Sequence, residues 1–453
     1  MEPHLTAAQQ YFPTYKLDPL RSEIGLREYD LAAKALEADH KSLTAASGIA
    51  LFFAGTAATL IGAGNAIQSI ERLSIILGSS LEITLSLIII FIATLAVHYF
   101  ACLQRSATYA GRKIIILRRL LGLDYGNIET VLPSDRLDGA NEPFSLPMFP
   151  GWLSLQALPV IAVAALSAFA QGAAFAAFHT IRPRQMTFLG GNVLASPGEV
   201  GWLIAGVTAS LLLAFYRYSL FEDFETIRLR LAKILSGIIG SPIKSRIGHV
   251  LYRMRLSVFE AERLKIDLES FHKILLFIED KRYLKHNGNS FYSLSKALYR
   301  YVRYKKISGG STIYQQLARS NFIINFGASA RRKVMEWMLA PWLNSVFDKR
   351  EGINVYLCSV RFAYGIIGLP AAIAYYYPNK SLGDPVSNAE RFVLIERLSN
   401  VTGTYPAARV RLLVDQLVAA HLLADLDRSE LSSIYFELGR AGKLDLRGQH
   451  PAL

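Results

Sequence analysis

Residues 279–288 read Glu279-Asp280-Lys281-Arg282-Tyr283-Leu284-Lys285-His286-Asn287-Gly288. Twenty residues later the chain reads Gly309-Gly310-Ser311-Thr312-Ile313-Tyr314-Gln315-Gln316. The first block brings together two carboxylates, an aromatic ring, a histidine and a turn glycine. The second brings a Gly-Gly turn, two adjacent hydroxyls and two adjacent amides. Transfer of a sugar from a phosphate leaving group needs both kinds of cluster. A carboxylate must take a proton from the attacking hydroxyl, and donors and cations must hold the departing phosphate.

Working outward, the 453-residue chain is 52% hydrophobic with a formal net charge of +13. That apolar content points to membrane segments. The charge suits an anionic partner, and beside such hydrophobicity acidic lipid or a phosphorylated substrate is favoured over nucleic acid. Cys102 and Cys358 are far apart and form neither a metal constellation nor a disulfide framework. No cleavable signal peptide is expected, because the first forty residues lack an apolar core.

Residues 1–43 read as a polar, mixed-charge helical arm, and 44–218 as a membrane region of about four helices. The apolar runs are Ala45–Ala66, Ile83–Cys102, Trp152–Phe178 and Val200–Tyr216. Each approaches the roughly 20 residues a helix needs to cross hydrocarbon, the last being shortest. A basic loop is expected near 103–150, beginning Gln104-Arg105 and continuing through Arg112, Lys113, Arg118 and Arg119. Such a cluster marks the cytoplasmic side. Residues 219–270 alternate apolar and charged positions at helical spacing, fitting amphipathic connecting helices at a membrane surface or with a solvated face. Residues 271–410 form a compact helical region with helices expected at Ser293–Tyr304, Ala330–Phe347 and Glu351–Val360, and 411–453 form a helical tail.

From Phe277 to Pro406 the chain resembles the peptidoglycan glycosyltransferases, glycosyltransferase family 51. These are the transglycosylase domains of penicillin-binding proteins and the monofunctional transglycosylases. Glu279-Asp280-x-x-Tyr283-x-x-His286-x-Gly288 matches the family's first motif, and Gly309 to Ala318 its second with one change. Arg332-Lys333-x-x-Glu336, Lys349-x-x-x-Ile353-x-x-Tyr356-Leu357 and Phe362-x-x-Gly365-x-x-Gly368-x-x-Ala371-Ala372 follow in family order. The departures are Tyr314 for Thr, Cys358 for Asn, Ala363 for Gly, and no basic residue midway through 324–330, for which Arg331 is a candidate substitute. Ser241-x-x-Lys244 and Ser293-x-x-Lys296 fit a transpeptidase pattern without its Lys-Thr-Gly partner and are read as chance.

The resemblance implies a mainly α fold: a multi-span helical membrane region followed by a lysozyme-like α-helical glycosyltransferase domain. It implies polymerisation of lipid II with release of undecaprenyl diphosphate. Glu279 is the candidate general base; its apolar lead-in, Ile274–Ile278, would raise a carboxylate pKa toward a useful range. Glu336 is a second catalytic carboxylate and the candidate ligand of a divalent cation, Mg or Mn. Lys333, Arg332 and Arg319 are candidate diphosphate ligands, and Asp280, His286, Ser311, Thr312, Gln315 and Gln316 complete the expected substrate-binding set. Asp280 and His286 also admit local structural roles, and Ser311 or Thr312 a helix-capping role. The implied location is the bacterial inner (cytoplasmic) membrane, with polyprenyl-diphosphate glycan and membrane as partners and no nucleic acid. The family acts outside the membrane, whereas four spans with residues 104–119 inside place 219–453 in the cytoplasm. The alternative reading is therefore a membrane-embedded sensor, effector or scaffold whose divergent domain binds polyprenyl-diphosphate substrates.

Overall fold

The computed structural model describes residues 22–62, 79–121, 144, 146–181, 197–290, 310–324, 330–400, 403–422, 428–447 and 451. The fold is mainly helical, and the chain divides into two compact units, one ending at Asp223 and the other running from Phe224.

The first unit contains α1 (Ser22–Gly62), α2 (Ser79–Leu120), α3 (Leu158–Ile181) and α4 (Pro197–Ser219). Among the described residues, three segments are long and apolar enough to cross a membrane: Ser86–Arg118, Leu158–Phe175 and Glu199–Ser219. The first apolar run occupies the end of α1 as far as Gly62, and its last residues lie outside the described ones. The basic segment expected as a loop is instead helical as far as Leu120, since Ile114-Ile115-Ile116-Leu117 continues the pattern without a proline. The inner faces meet through Ala93, Val97, Phe100, Val160, Ala164, Leu212 and Tyr216, while Ile83, Leu87, Phe91 and Leu95 of α2 point outward. Small residues let α3 and α4 approach closely: a Cβ on Gly172 would lie 2.5 Å from the Gly201 carbonyl oxygen.

Charged contacts fix which ends of these helices coincide. Arg112 of α2 pairs with both carboxylate oxygens of Glu222 at 2.9 and 3.0 Å and donates to the Leu146 carbonyl. Arg105 donates to the carbonyls of Ser219 and Phe221 at the close of α4, where a cation complements the helix dipole. The basic end of α2 and the end of α4 therefore lie together.

The second unit contains α5 (Ile227–Ile239), α6 (Ile247–Arg263), α7 (Glu269–Glu279), α8 (Ile313–Asn321), α9 (Ala330–Val346), α10 (Lys349–Ser359), a two-stranded antiparallel pair β1 (Arg361–Ala363) and β2 (Ile366–Ile367), α11 (Leu369–Tyr376), α12 (Asn388–Ser399), α13 (Ala407–Ala419) and α14 (Arg428–Arg440). The expected helix at 293–304 lies outside the described residues. One apolar core runs from Leu229 to Leu444, so the connecting helices, the motif-bearing region and the tail pack as one body. The turn after α5 is stitched to the end of α8: Lys244 N–H donates to the Phe322 carbonyl, and Ile324 N–H to that of Pro242. Gly368 has φ +81, and a Cβ there would meet the Cys358 carbonyl oxygen at 2.4 Å, so only glycine starts α11 against α10.

Candidate active site

Glu279 is the last residue of α7, half-buried, and both its oxygens are engaged. Oε2 accepts from Gln316 Nε2 at 2.7 Å, and Oε1 accepts from the Ser399 hydroxyl at the end of α12. Gln316 is oriented in turn, because its Oε1 accepts from the Tyr356 hydroxyl at 2.8 Å. Burial, with the Glu279 carboxylate adding to it, holds the Tyr356 phenol well above its ordinary pKa, so it stays a donor. Glu396 lies one turn before Ser399 and is fully buried against Arg397. Burial pushes its carboxyl upward, Arg397 pulls it back, and Glu279 adds a smaller upward push.

The turn after Glu279 is locked from within. Asp280, nearly buried, accepts from His286 Nε2 at 2.9 Å and from the backbone N–H of Ile313 at 3.2 Å, the first residue of α8. The second His286 nitrogen accepts from Gly288 N–H. Gly288 has φ +93, and a Cβ there would lie 2.4 Å from the Ala340 carbonyl oxygen, so the turn seats directly on the backbone of α9. Asp280 and His286 thus make their bonds inside the protein, tying α7 to α8 and α9.

Thr312 and Gln315 form a capping box at the start of α8, each side chain bonding the other's backbone N–H. The Thr312 hydroxyl donates to the Gly288 carbonyl at 2.6 Å, and Gln315 Nε2 donates to Asn289 Oδ1 at 2.9 Å. Both are buried. The open face of α8 is left to Gln316 and Arg319, three residues apart.

Beside the N-terminal cap of α8 stands the cationic cluster. Lys333 of α9 donates from Nζ to Ser311 Oγ at 2.6 Å and to Glu336 Oε2 at 2.6 Å. Its side chain is half-exposed, and an ammonium has three donors, so one N–H remains for an anion. Glu336 is fully buried; Arg332 Nε lies 3.1 Å from its Oε1, an ion-pair distance without hydrogen-bond alignment, and Arg319 Nε lies 3.9 Å away. Three cations converge on one carboxylate and leave the cluster with net positive charge. This donor set fits an anion and does not fit a divalent cation, which would meet three like charges beside a single carboxylate. Among the described residues, no three His, Cys, Asp or Glu side chains gather into a metal-sized cluster.

Two departures from the family pattern fall in the core. Tyr314 is fully buried, stacks on Tyr283 with ring centroids 5.3 Å apart, and donates to the carbonyls of Phe347 and Asp348. Burial raises its phenol to about 12. Lys349 caps this pair, its Nζ 4.6 Å from the Tyr283 centroid, and donates to the His286 carbonyl. Burial lowers the Lys349 pKa, with Asp280 opposing the shift. Cys358 is buried, and burial pushes its thiol well up, away from thiolate reactivity. The residues midway through the 324–330 loop lie outside the described ones. Ser399 is the contact the motifs did not announce: it stands 120 residues from Glu279 and outside every motif block.

Residues 258–416 match the Transglycosylase family model. The chain is 35% identical over 133 residues to the biosynthetic peptidoglycan transglycosylase of Shewanella denitrificans, covering 29% of this chain and 54% of that protein. It is 34% identical over 106 residues to the biosynthetic peptidoglycan transglycosylase of Chromobacterium violaceum, covering 23% and 46%. It is 36% identical over 108 residues to penicillin-binding protein 1F of Bacillus subtilis, covering 24% and 15%. The chain thus spans about half the length of those two transglycosylases and a smaller part of penicillin-binding protein 1F. No solved structure matches it. Residues 258–416 are therefore a transglycosylase-family domain, homologous to the biosynthetic peptidoglycan transglycosylases and to penicillin-binding protein 1F.

Proposed function

We propose that this chain is a membrane-bound glycosyltransferase that polymerises lipid II, with undecaprenyl diphosphate as leaving group. The observation that carries the reading is that one short stretch, Ser311 to Gln316, holds both the carboxylate and the cationic cluster. Gln316 holds the Glu279 carboxylate, while Ser311 holds Lys333 with Glu336. Ser311 stands just before the N-cap of α8 and Gln316 lies one turn inside it, so the carboxylate and the cations are anchored by one short stretch of chain. Glu279 takes the proton from the acceptor's 4-hydroxyl as that oxygen bonds to the donor's anomeric carbon. The anomeric carbon–oxygen bond to the diphosphate breaks, and Lys333, Arg332 and Arg319 receive the charge that builds on it. The burial of Tyr314 and Cys358 supports activity over the sensor or scaffold reading, since neither side chain is among those that contact Glu279 or Lys333. Purified full-length protein in detergent, given lipid II, is expected to build a ladder of glycan products. A chain that binds lipid II but builds no polymer would overturn the proposal.

The side of the membrane follows from a separate argument. Arg112 and Arg105 bring the basic end of α2 to the end of α4. If the basic end is cytoplasmic, the chain leaves α4 on the cytoplasmic side. A single cysteine at Asn287, with Cys102 and Cys358 replaced, is then expected to resist an impermeant thiol reagent in intact spheroplasts and to react after lysis. Labelling before lysis would refute this orientation and place the domain outside.

A further inference from the structure

Helix α5 carries two apolar stripes, and only one is used by the core. Leu229, Ala232 and Ser236 are buried. Ile227, Leu231, Ile234 and Ile238 lie at i, i+4, i+7 and i+11 and are 52–77% exposed. Four large side chains in a row on one helix face are an apolar patch that water does not favour. Beside it opens a cavity of about 820 Å³, shared by α5, the turn after Glu279 and α9. Leu231 belongs to both stripe and cavity, and Trp337 forms part of the apolar wall. Arg228, Arg282 and Lys285 supply three cations to the same space, and Asn344 a neutral polar group. Leu284, between two of those cations in sequence, is 69% exposed. The cavity is distinct from the candidate active site: Glu279, Ser311, Gln316, Lys333 and Glu336 do not line it. His286 does, but both its ring nitrogens are already bonded to Asp280 and Gly288.

We propose that α5 and this cavity form a docking site for an anionic phospholipid surface, with the isoleucine stripe in the interface and a headgroup phosphate in the cavity on Arg228, Arg282 and Lys285. An apolar stripe flanked by cations is the signature of a helix lying in the membrane interface. Each cation near an anionic leaflet strengthens that attachment. A bilayer is within reach: Ser219 closes the last candidate span, and only Leu220 to Thr226 separate it from α5, at most roughly 25–30 Å of chain. A second copy of the chain fits less well, because it carries a net charge of +13 and meets a cationic cavity. The apolar stripe lies upstream of the family-matched residues, whereas Arg282 and Lys285 lie within them, and the site does not depend on which substrate the transferase accepts.

The test uses the full-length chain in nanodiscs, with a photoreactive amino acid in place of Ile234. Nanodiscs of phosphatidylcholine with phosphatidylglycerol are compared with phosphatidylcholine alone, and adducts are identified by mass spectrometry. The expected result is a lipid adduct strongly favoured in the anionic discs. Arg282→Glu with Lys285→Glu should reduce that adduct by about fivefold or more per reversed cation, while leaving the weaker adduct in neutral discs unchanged. Three results overturn the proposal: no lipid adduct, an adduct to a second copy of the chain, or a lipid adduct equal in both discs and indifferent to the charge reversals. Unchanged thermal unfolding of the double variant separates loss of docking from loss of fold.

Discussion

Glu279→Gln is expected to lower lipid II polymerisation by about 10²–10⁴-fold, the usual worth of a positioned base. The substitution is nearly isosteric, and the pocket tolerates it for an identifiable reason. The Ser399 hydroxyl and Gln316 amide now donate to Glu279; the amide oxygen of a glutamine accepts one of these bonds, and the Ser399 hydroxyl can rotate to accept from its NH₂ group. Thermal unfolding should therefore move little while turnover collapses. Binding of lipid II should also persist, since Lys333, Arg332 and Arg319, the proposed diphosphate ligands, are untouched. A variant that turns over near the wild-type rate would remove Glu279 from the role of base. A variant that loses binding and turnover together would make Glu279 a substrate anchor instead.

The polar residues of the two motif blocks were legible as a set, and their division of labour was not. The helical character of α9 and α10 followed from spacing, and the structure places those helices within one or two residues of the expected bounds. Thr312 and Gln315 looked no different in sequence from Ser311 and Gln316. Helical phase separates them: Thr312 and Gln315 close the cap of α8, while Ser311 and Gln316 reach Lys333 and Glu279. Tyr314 raised the same difficulty in reverse, a conspicuous change whose side chain packs on Tyr283 in the core. Ser399 could not be found at all, because its contact with Glu279 depends on how α12 crosses the end of α7, which no local pattern encodes. Glu336 was expected to hold a divalent metal; the three cations around it could be inferred only in part, since Arg319 comes from a different helix.

Those cations carry the second large effect. Lys333→Ala is expected to slow transfer by about 10²–10³-fold, the worth of one preorganised charge donor, and to weaken binding of an unreactive diphosphate analogue. Lys333 makes the aligned hydrogen bond to the buried Glu336 carboxylate, so its loss leaves Glu336 with the ion pair to Arg332 but without that bond and should cost stability. The two consequences can be separated by adding Glu336→Gln. The neutral amide no longer needs the ammonium, so the double variant should recover much of the thermal stability lost in Lys333→Ala. If Lys333 serves the diphosphate, analogue affinity and transfer rate stay low in the double variant despite the recovered fold. If Lys333 serves only to neutralise Glu336, both return with stability, and the α9 cluster is structural. Lys333→Arg offers the complementary measurement. It keeps the positive charge but replaces a compact ammonium with a planar fork that cannot make the same paired contacts to Ser311 and Glu336. Partial retention of analogue affinity with a slowed transfer step is the expected result, because charge is kept and the position of its donors is not.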